Sequence, residues 1–260
     1  MIEDLIKITR IVLQGATASN GRTSDQASAL DALALRKDDL DILFDELDDI
    51  LMDVEEFGTP PDEASKQRLA RRIFRKLDSI CKSAIWFASM ARGRHGVREY
   101  SSSIMAVQKR SDGDKLVVLA YVENYIGQKI APKHREFGIG EGFCGKAWGS
   151  REICMGRTYD SILGIRLPNK KFVYRSEYDN KRASLLAVPI IGDAGAQNDV
   201  IGVFNIDSTR RIYLNTAKNR QRHRDVYLPI ADKIGRILVA LRRQGLLDIA
   251  FEPQSEEASA

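Results

Sequence analysis

Two apolar runs constrain the fold more than any other feature of this chain. Residues 184–191 read Ser-Leu-Leu-Ala-Val-Pro-Ile-Ile, and residues 200–208 read Val-Ile-Gly-Val-Phe-Asn-Ile-Asp-Ser. Short runs rich in β-branched residues and bounded by turn formers read as buried strands. Residues 192–199 between them are a loop of turn formers, so the two strands are neighbours. Upstream, Gly138-Ile139-Gly140-Glu141-Gly142-Phe143-Cys144-Gly145 reads as a glycine turn feeding a short helix over 143–149. Its four glycines allow either turns forbidden to other residues or a close approach of backbone to a ligand. A plain turn is the equal alternative.

The composition excludes several classes. No apolar run approaches the roughly 20 residues that span a bilayer. The N-terminus, Met1-Ile2-Glu3-Asp4, is acidic and does not read as a secretory signal. Cys81, Cys144 and Cys154 are odd in number and lack metal-site spacing, which points to free thiols in a reducing cytoplasm. With three His and no Cys-x-x-Cys pair, a structural zinc site is not expected. The net charge of +4 does not by itself imply nucleic acid.

Residues 2–14 suit one short amphipathic helix and 16–28 a linker. A longer helix follows over about 24–57, with Leu40, Leu43, Leu47, Ile50, Val54 and Phe57 forming a coiled-coil-like seam beside a run of acids. The segment Gly58-Thr59-Pro60-Pro61 breaks it. The next helix, about 62–92, buries Leu69, Ile73, Leu77, Ile80, Ala84 and Phe87 and carries a basic face. Acidic helix, turn and basic helix suggest an antiparallel hairpin whose charges select a partner, within the chain or in a second subunit. Two solvated faces are the equal alternative.

A β-hairpin is expected over 102–122 around Asp112-Gly113, with 123–137 irregular and a short strand at 152–155. Residues 156–183 form a long aromatic-bearing segment of the kind used as a lid or binding loop. Residues 210–224 are basic, Asp225 is the expected cap of a final helix over 226–243, and Leu228 is expected among its apolar positions.

From about residue 62 to 243 the sequence resembles a GAF domain. The residues that carry the resemblance are Ile139-Gly140-Glu141-Gly142 through Lys146-Ala147, then residues 184–190, then residues 200–207. The resemblance implies an α+β fold with a central antiparallel sheet and flanking helices, here preceded by an N-terminal helical segment. It also implies a pocket between sheet and covering loops, a small-molecule sensor role, and dimerisation through helices.

The cyclic-nucleotide members' Asn-Lys is replaced by Asp207-Ser208, the bilin members' Cys-His by Cys144-Gly145, and His134 is a poor haem ligand. The sequence also resembles, distantly, the free methionine-(R)-sulfoxide reductases. Cys144 and Cys154 match two of their three cysteines, but Tyr178 stands where the nucleophilic cysteine belongs. A phenol cannot replace a thiolate in attack on sulfur, so catalysis is not expected.

The resulting expectation is a cytoplasmic GAF-like sensor or regulatory module, homodimeric and signalling to a downstream protein, with no membrane role. Its domains are a helical, dimerising segment over 1–60, the GAF-like domain over 61–246 and a disordered tail over 247–260. The ligand-binding candidates are Phe143, Cys144, Trp148, Tyr159, Asp160, Tyr174, Tyr178, Asp179 and Ser184. The identity of the ligand or cofactor is unknown. Thiol redox chemistry at Cys144 and Cys154, and nucleic-acid binding through residues 210–224, are the alternatives, the latter not favoured.

Overall fold

The computed structural model describes residues 23–56, 62–90, 100–123, 136–157, 159–162, 165–168, 184–193, 198–208 and 217–249. The elements are helix α1 (Thr23–Glu56), α2 (Glu63–Met90), strands β1 (Tyr100–Gln108), β2 (Lys115–Glu123) and β3 (Glu136–Phe137), and helix α3 (Gly142–Ser150). Strands β4 (Cys154–Arg157), β5 (Tyr159–Ile162), β6 (Ile165–Pro168), β7 (Ser184–Asp193) and β8 (Asn198–Ser208) follow, then α4 (Ala217–Arg243) and α5 (Leu246–Ile249). The fold is α+β. Six strands form an antiparallel sheet in the order β3-β2-β1-β8-β7-β4, and β5 and β6 pair separately. The expected helix over 2–14 lies outside the described residues.

Side chains alternate across the sheet because successive residues of a strand point to opposite faces. On one face Ile104, Ala106, Ala120, Leu186, Val188, Ile190, Phe204 and Ile206 are buried against the long helices. On the other, Met105, Val107, Leu116, Val118, Ala187 and Val203 are buried with α3. Two register shifts keep each strand in phase, one opposite Ile104/Met105 and one at Ile190/Ile191. At the second, Ile201 joins Gly202 on the helix side, and a Cβ on Gly202 would stand 2.3 Å from the Met105 carbonyl oxygen.

The seam of α1 is buried as expected, but within this chain. Leu40, Leu43, Leu47, Ile50 and Val54 share one core with Leu69, Ile73, Leu77 and Ile80 of α2 and Ile230, Ile234, Ile237 and Leu241 of α4. A division at residue 60 therefore does not separate two cores. The opposite charges also meet inside the chain: Arg72 Nη2 lies 3.0 Å from Asp53 Oδ1, and Lys76 bonds the same carboxylate. Ser83 Oγ donates to Glu46 at 3.3 Å, and Lys233 pairs with Asp48 while standing 5.3 Å from the Phe44 ring centre. Gln244 donates to the Val54 carbonyl, joining the ends of α1 and α4. The Phe87 side chain lies outside what is described.

Two helix ends and one core position differ from expectation. Helix α4 begins at Ala217, so Asp225 lies inside it rather than capping it. Residues 217–224 contain no Gly or Pro, and their Lys, Arg and Gln are good helix formers. Leu228 is 40% exposed and Tyr227 is buried in its place, because Tyr227, Ile230, Ile234 and Ile237 keep helical spacing. Tyr227 packs on Phe204 with ring centres 6.3 Å apart. At the C-terminus, Gly245 (φ +66°) ends α4 and turns Leu246 and Leu247 back into the core, so residue 247 is not tail. Residues 250–260 lie outside the described residues.

At the start of α2, Asp62 accepts from the Ser65 amide at 2.7 Å and from Ser65 Oγ at 3.0 Å. These bonds hold its carboxyl below the usual carboxylate range. A depressed folded pKa contributes stability above the unfolded value, near ~3.9, and loses it as pH falls through the folded value. Asp62→Ala is therefore expected to lower the melting temperature at neutral pH, with the two melts converging in acid. Leu47→Ala should cost about 2–5 kcal/mol in a single denaturation transition; a separate early transition for α1 would contradict the shared core.

Candidate functional site

The glycine turn closes on itself. Gly140 donates its amide to the Gly145 carbonyl at 2.8 Å, Glu141 to the Gly138 carbonyl at 3.1 Å, and the Gly138 amide to the Glu141 carboxylate. Gly140 (φ +82°) and Gly142 (φ +59°) need the left-handed region, and a Cβ on Gly145 would stand 2.2 Å from the Gly138 oxygen. The Gly138, Gly140 and Glu141 amides are spent within the turn, and these glycines shape the entry into α3.

Helix α3 then lies over β4, β7 and β8. Cys144, Ala147 and Trp148 are buried against Met105, Val107, Val118 and Val203, with Phe143 and Cys154 packed at the margin. Gly156 of β4 is the seat of Phe143, since a Cβ there would stand 2.5 Å from the ring. Three expected site residues, Phe143, Cys144 and Trp148, are thus brought together on one face of the sheet. Tyr159 and Asp160 lie on β5, paired with Pro168 and Leu167. Tyr174, Tyr178 and Asp179 lie outside the described residues. Ser184 opens β7, its backbone paired with Ser208 of β8.

The same face carries a polar cluster that the sequence reading missed. Ser101 and Ser103 of β1 pair with Asp207 and Asn205 of β8, and all four are at most 3% exposed. They continue the series of Met105 and Val203, beyond the part occupied by α3. Tyr121, opposite Ser103, adds a half-buried phenol to this series, and its amide donates to Asp78 of α2 at 3.0 Å. Asn205 Nδ2 donates to Asp207 Oδ1 at 2.7 Å, and Ser101 Oγ lies 3.4 Å from Asp207 Oδ2. The bond to Asp207 orients the amide and leaves Asn205 Oδ1 buried with no hydrogen-bond partner among the described residues. The signal was in the alternation: in Val203-Phe204-Asn205-Ile206-Asp207 the polar residues share one face and the apolar residues the other.

Cys81 and Cys154 are poorly suited to nucleophilic chemistry at neutral pH. Burial pushes the Cys154 thiol up, against smaller opposing effects of a Ser150 hydrogen bond and the Lys146 charge. Burial pushes Cys81, beneath β1, up to about 12. None of the three cysteines is in a disulfide. No group of His, Cys, Asp and Glu able to hold a metal occurs among the described residues.

No family model matches the sequence, and no curated protein matches it. Among solved structures the chain is similar to GAF domains and to GAF-fold methionine-R-sulfoxide reductases. The nlh2 GAF domain of A. aeolicus in an inactive state aligns at 15% identity over 77% of this chain and 99% of that one, with a TM-score of 0.43. The free methionine-R-sulfoxide reductase of Neisseria meningitidis, in complex with its substrate, aligns at 18% identity over 68% of this chain and 93% of that one, with a TM-score of 0.42. The likeness is one of fold.

Cys154 is expected to react with iodoacetamide at neutral pH more slowly than free cysteine, whose pKa is near ~8.5. Its rate should climb as pH rises past that value, and Cys81 should react only in denaturant. Mass spectrometry of the alkylated peptides reads both, and fast neutral-pH labelling of Cys154 would contradict the assignment.

Proposed function

We propose that this chain is a GAF-type sensor or regulatory module. It binds a small molecule on the α3 face of its sheet, where Ser101, Ser103, Asn205 and Asp207 meet the apolar wall of Phe143, Cys144 and Trp148. The observation that carries the reading is Asn205 Oδ1, a buried acceptor without a partner among the described residues, beside a buried carboxylate. Leaving a buried polar group unsatisfied costs about 1–3 kcal/mol. A ligand that brings a hydrogen-bond donor to Asn205 and Asp207 recovers that cost, and its apolar part rests on Phe143 and Trp148. Tyr159, Asp160, Tyr174, Tyr178 and Asp179 are the residues expected to complete the site.

The sheet itself supplies a route for the signal. Asn205 and Asp207 alternate with Phe204 and Ile206, whose side chains pack in the helix core, Phe204 on Tyr227 of α4. A ligand that draws on one face of β8 therefore acts on residues one peptide away from the helix contacts. The output is contact with another protein through those helices. Sulfoxide reduction is not part of the proposal, since Tyr178 holds the nucleophile's place and Cys154 is held as a thiol.

The test is a thermal-shift screen of amino acids, nucleotides, 2-oxo acids and tetrapyrroles on the wild type and on Asn205→Leu. A compound in the first set should raise the wild-type melting temperature. Asn205→Leu should abolish that rise, measured against the variant's own unliganded melt because the change also takes a donor from the buried Asp207 carboxylate. The reading fails if no compound shifts the wild type, or if Asn205→Leu retains the full shift.

A further inference from the structure

We infer that the outer ridge of α1 docks a different protein, which lays a basic amphipathic helix along it. The inference names the partner of the helix-mediated output proposed above and rests on that reading for its role. On α1, Ile42, Asp45, Asp49, Met52 and Glu56 recur at spacings of three and four, all of them exposed. At about 3.6 residues per turn they share one stripe, opposite the buried Leu43, Leu47, Ile50 and Val54. Both flanks of that stripe are closed within the chain: Asp53 pairs with Arg72 and Lys76 of α2, and Asp48 with Lys233 of α4. The stripe itself is open. Among the described residues, Asp45, Asp49 and Glu56 make no ion pair. Ile42 is 56% and Met52 54% exposed, and they stand about 15 Å apart along the axis with Asp45 and Asp49 between them.

Apolar anchors and carboxylates on one ridge define what fits it. The complement is a helix with two apolar side chains about three turns apart and Lys or Arg between them, docked by its apolar face. A second copy of this chain does not offer that. Facing α1 ridges would set carboxylate against carboxylate, and like charges opposite one another disfavour contact. The exposed stripe of α2, Arg68, Arg71, Arg75 and Lys82, has the charge. It has no exposed large apolar residue, among the described residues, to meet Ile42 and Met52. Helix α4 exposes Leu228, but with the acidic Asp232 one turn further on. Exposed ion pairs are individually weak and are screened by salt. The charges therefore select the partner, and Ile42 and Met52 hold it.

Fluorescence anisotropy on the full chain tests this, with a labelled helical peptide of Lys and Ala carrying two Leu about three turns apart on one face. One control peptide replaces Lys by Glu, and another moves one Leu to the opposite face. The wild type is expected to bind the first peptide alone, and less tightly as salt rises. Asp45→Lys with Asp49→Lys should weaken binding about tenfold, and so should Met52→Ser, which keeps the charges. Glu152→Lys, an exposed change just after α3, should leave binding as it is. Circular dichroism melts check that each variant folds, and if the double reversal does not, Met52→Ser decides. The assay contains no small molecule, so a ligand screen that fails leaves its result standing. No binding by the wild type, equal binding of all three peptides, or binding that survives both α1 changes would overturn the inference. So would a wild-type dimer, in sedimentation velocity, that Asp45→Lys with Asp49→Lys dissociates, since a second copy would then occupy the ridge.

Discussion

Everything in this structure depends on the alternation of side chains along β1, β7 and β8. Each strand must satisfy two environments at once, an aliphatic helix layer on one side and α3 with a polar cluster on the other. The central strand pairs have no solvent-facing side on which to place a mismatch. Phe204 and Ile206 bury against α4 and the helix core, and the interleaved Asn205 and Asp207 must then be buried as well. Their polarity is tolerated because they are strand neighbours on one face, two residues apart, where one amide can bond one carboxylate. The site is thus a by-product of the same geometry that builds the core.

The long helices play a matching part. α1 contributes five apolar residues to the core that α2 and α4 also fill, and its carboxylates are matched across both contacts. The ion pairs are partly exposed and contribute about 0–1 kcal/mol each, so burial of Leu43, Leu47 and Ile50 carries the packing. The charges give the helices their order around one another. What remains unmatched on the outer side of α1 and α2 stands apart because the inner charges are already paired.

How much of this was legible in the sequence depends on what each signal measures. The strands at 184–191 and 200–208, the hairpin at Asp112-Gly113 and the helix after Gly142 were readable, because a turn residue bounded each periodic run. The polar cluster was not, because the run 200–208 was read as continuously apolar rather than split between two faces. Leu228 misled for a related reason: hydrophobicity names a residue, whereas helical spacing names a face, and Tyr227 satisfied the spacing. The start of α4 was hidden by its charge, since Lys and Arg favour helix as much as they favour water. Residue 60 resembled a domain boundary because Gly58, Pro60 and Pro61 end a helix, but ending a helix does not end a core.

The extra residue at Ile201 has a further consequence, for how such a chain can change over evolution. Downstream of that bulge, β8 runs in unbroken register with both β1 and β7 as far as Ser208. Gaining or losing one residue there would exchange Asn205 and Asp207 for Phe204 and Ile206 on every face at once. Charge would enter the helix core, and aromatic bulk would enter the polar cluster on the α3 side. Lineages that alter this polar cluster are therefore restricted to point substitution along β8. Length variation is left to the segments between strands, and the irregularity at Ile201 acts as a fixed reading frame for both sides of the sheet.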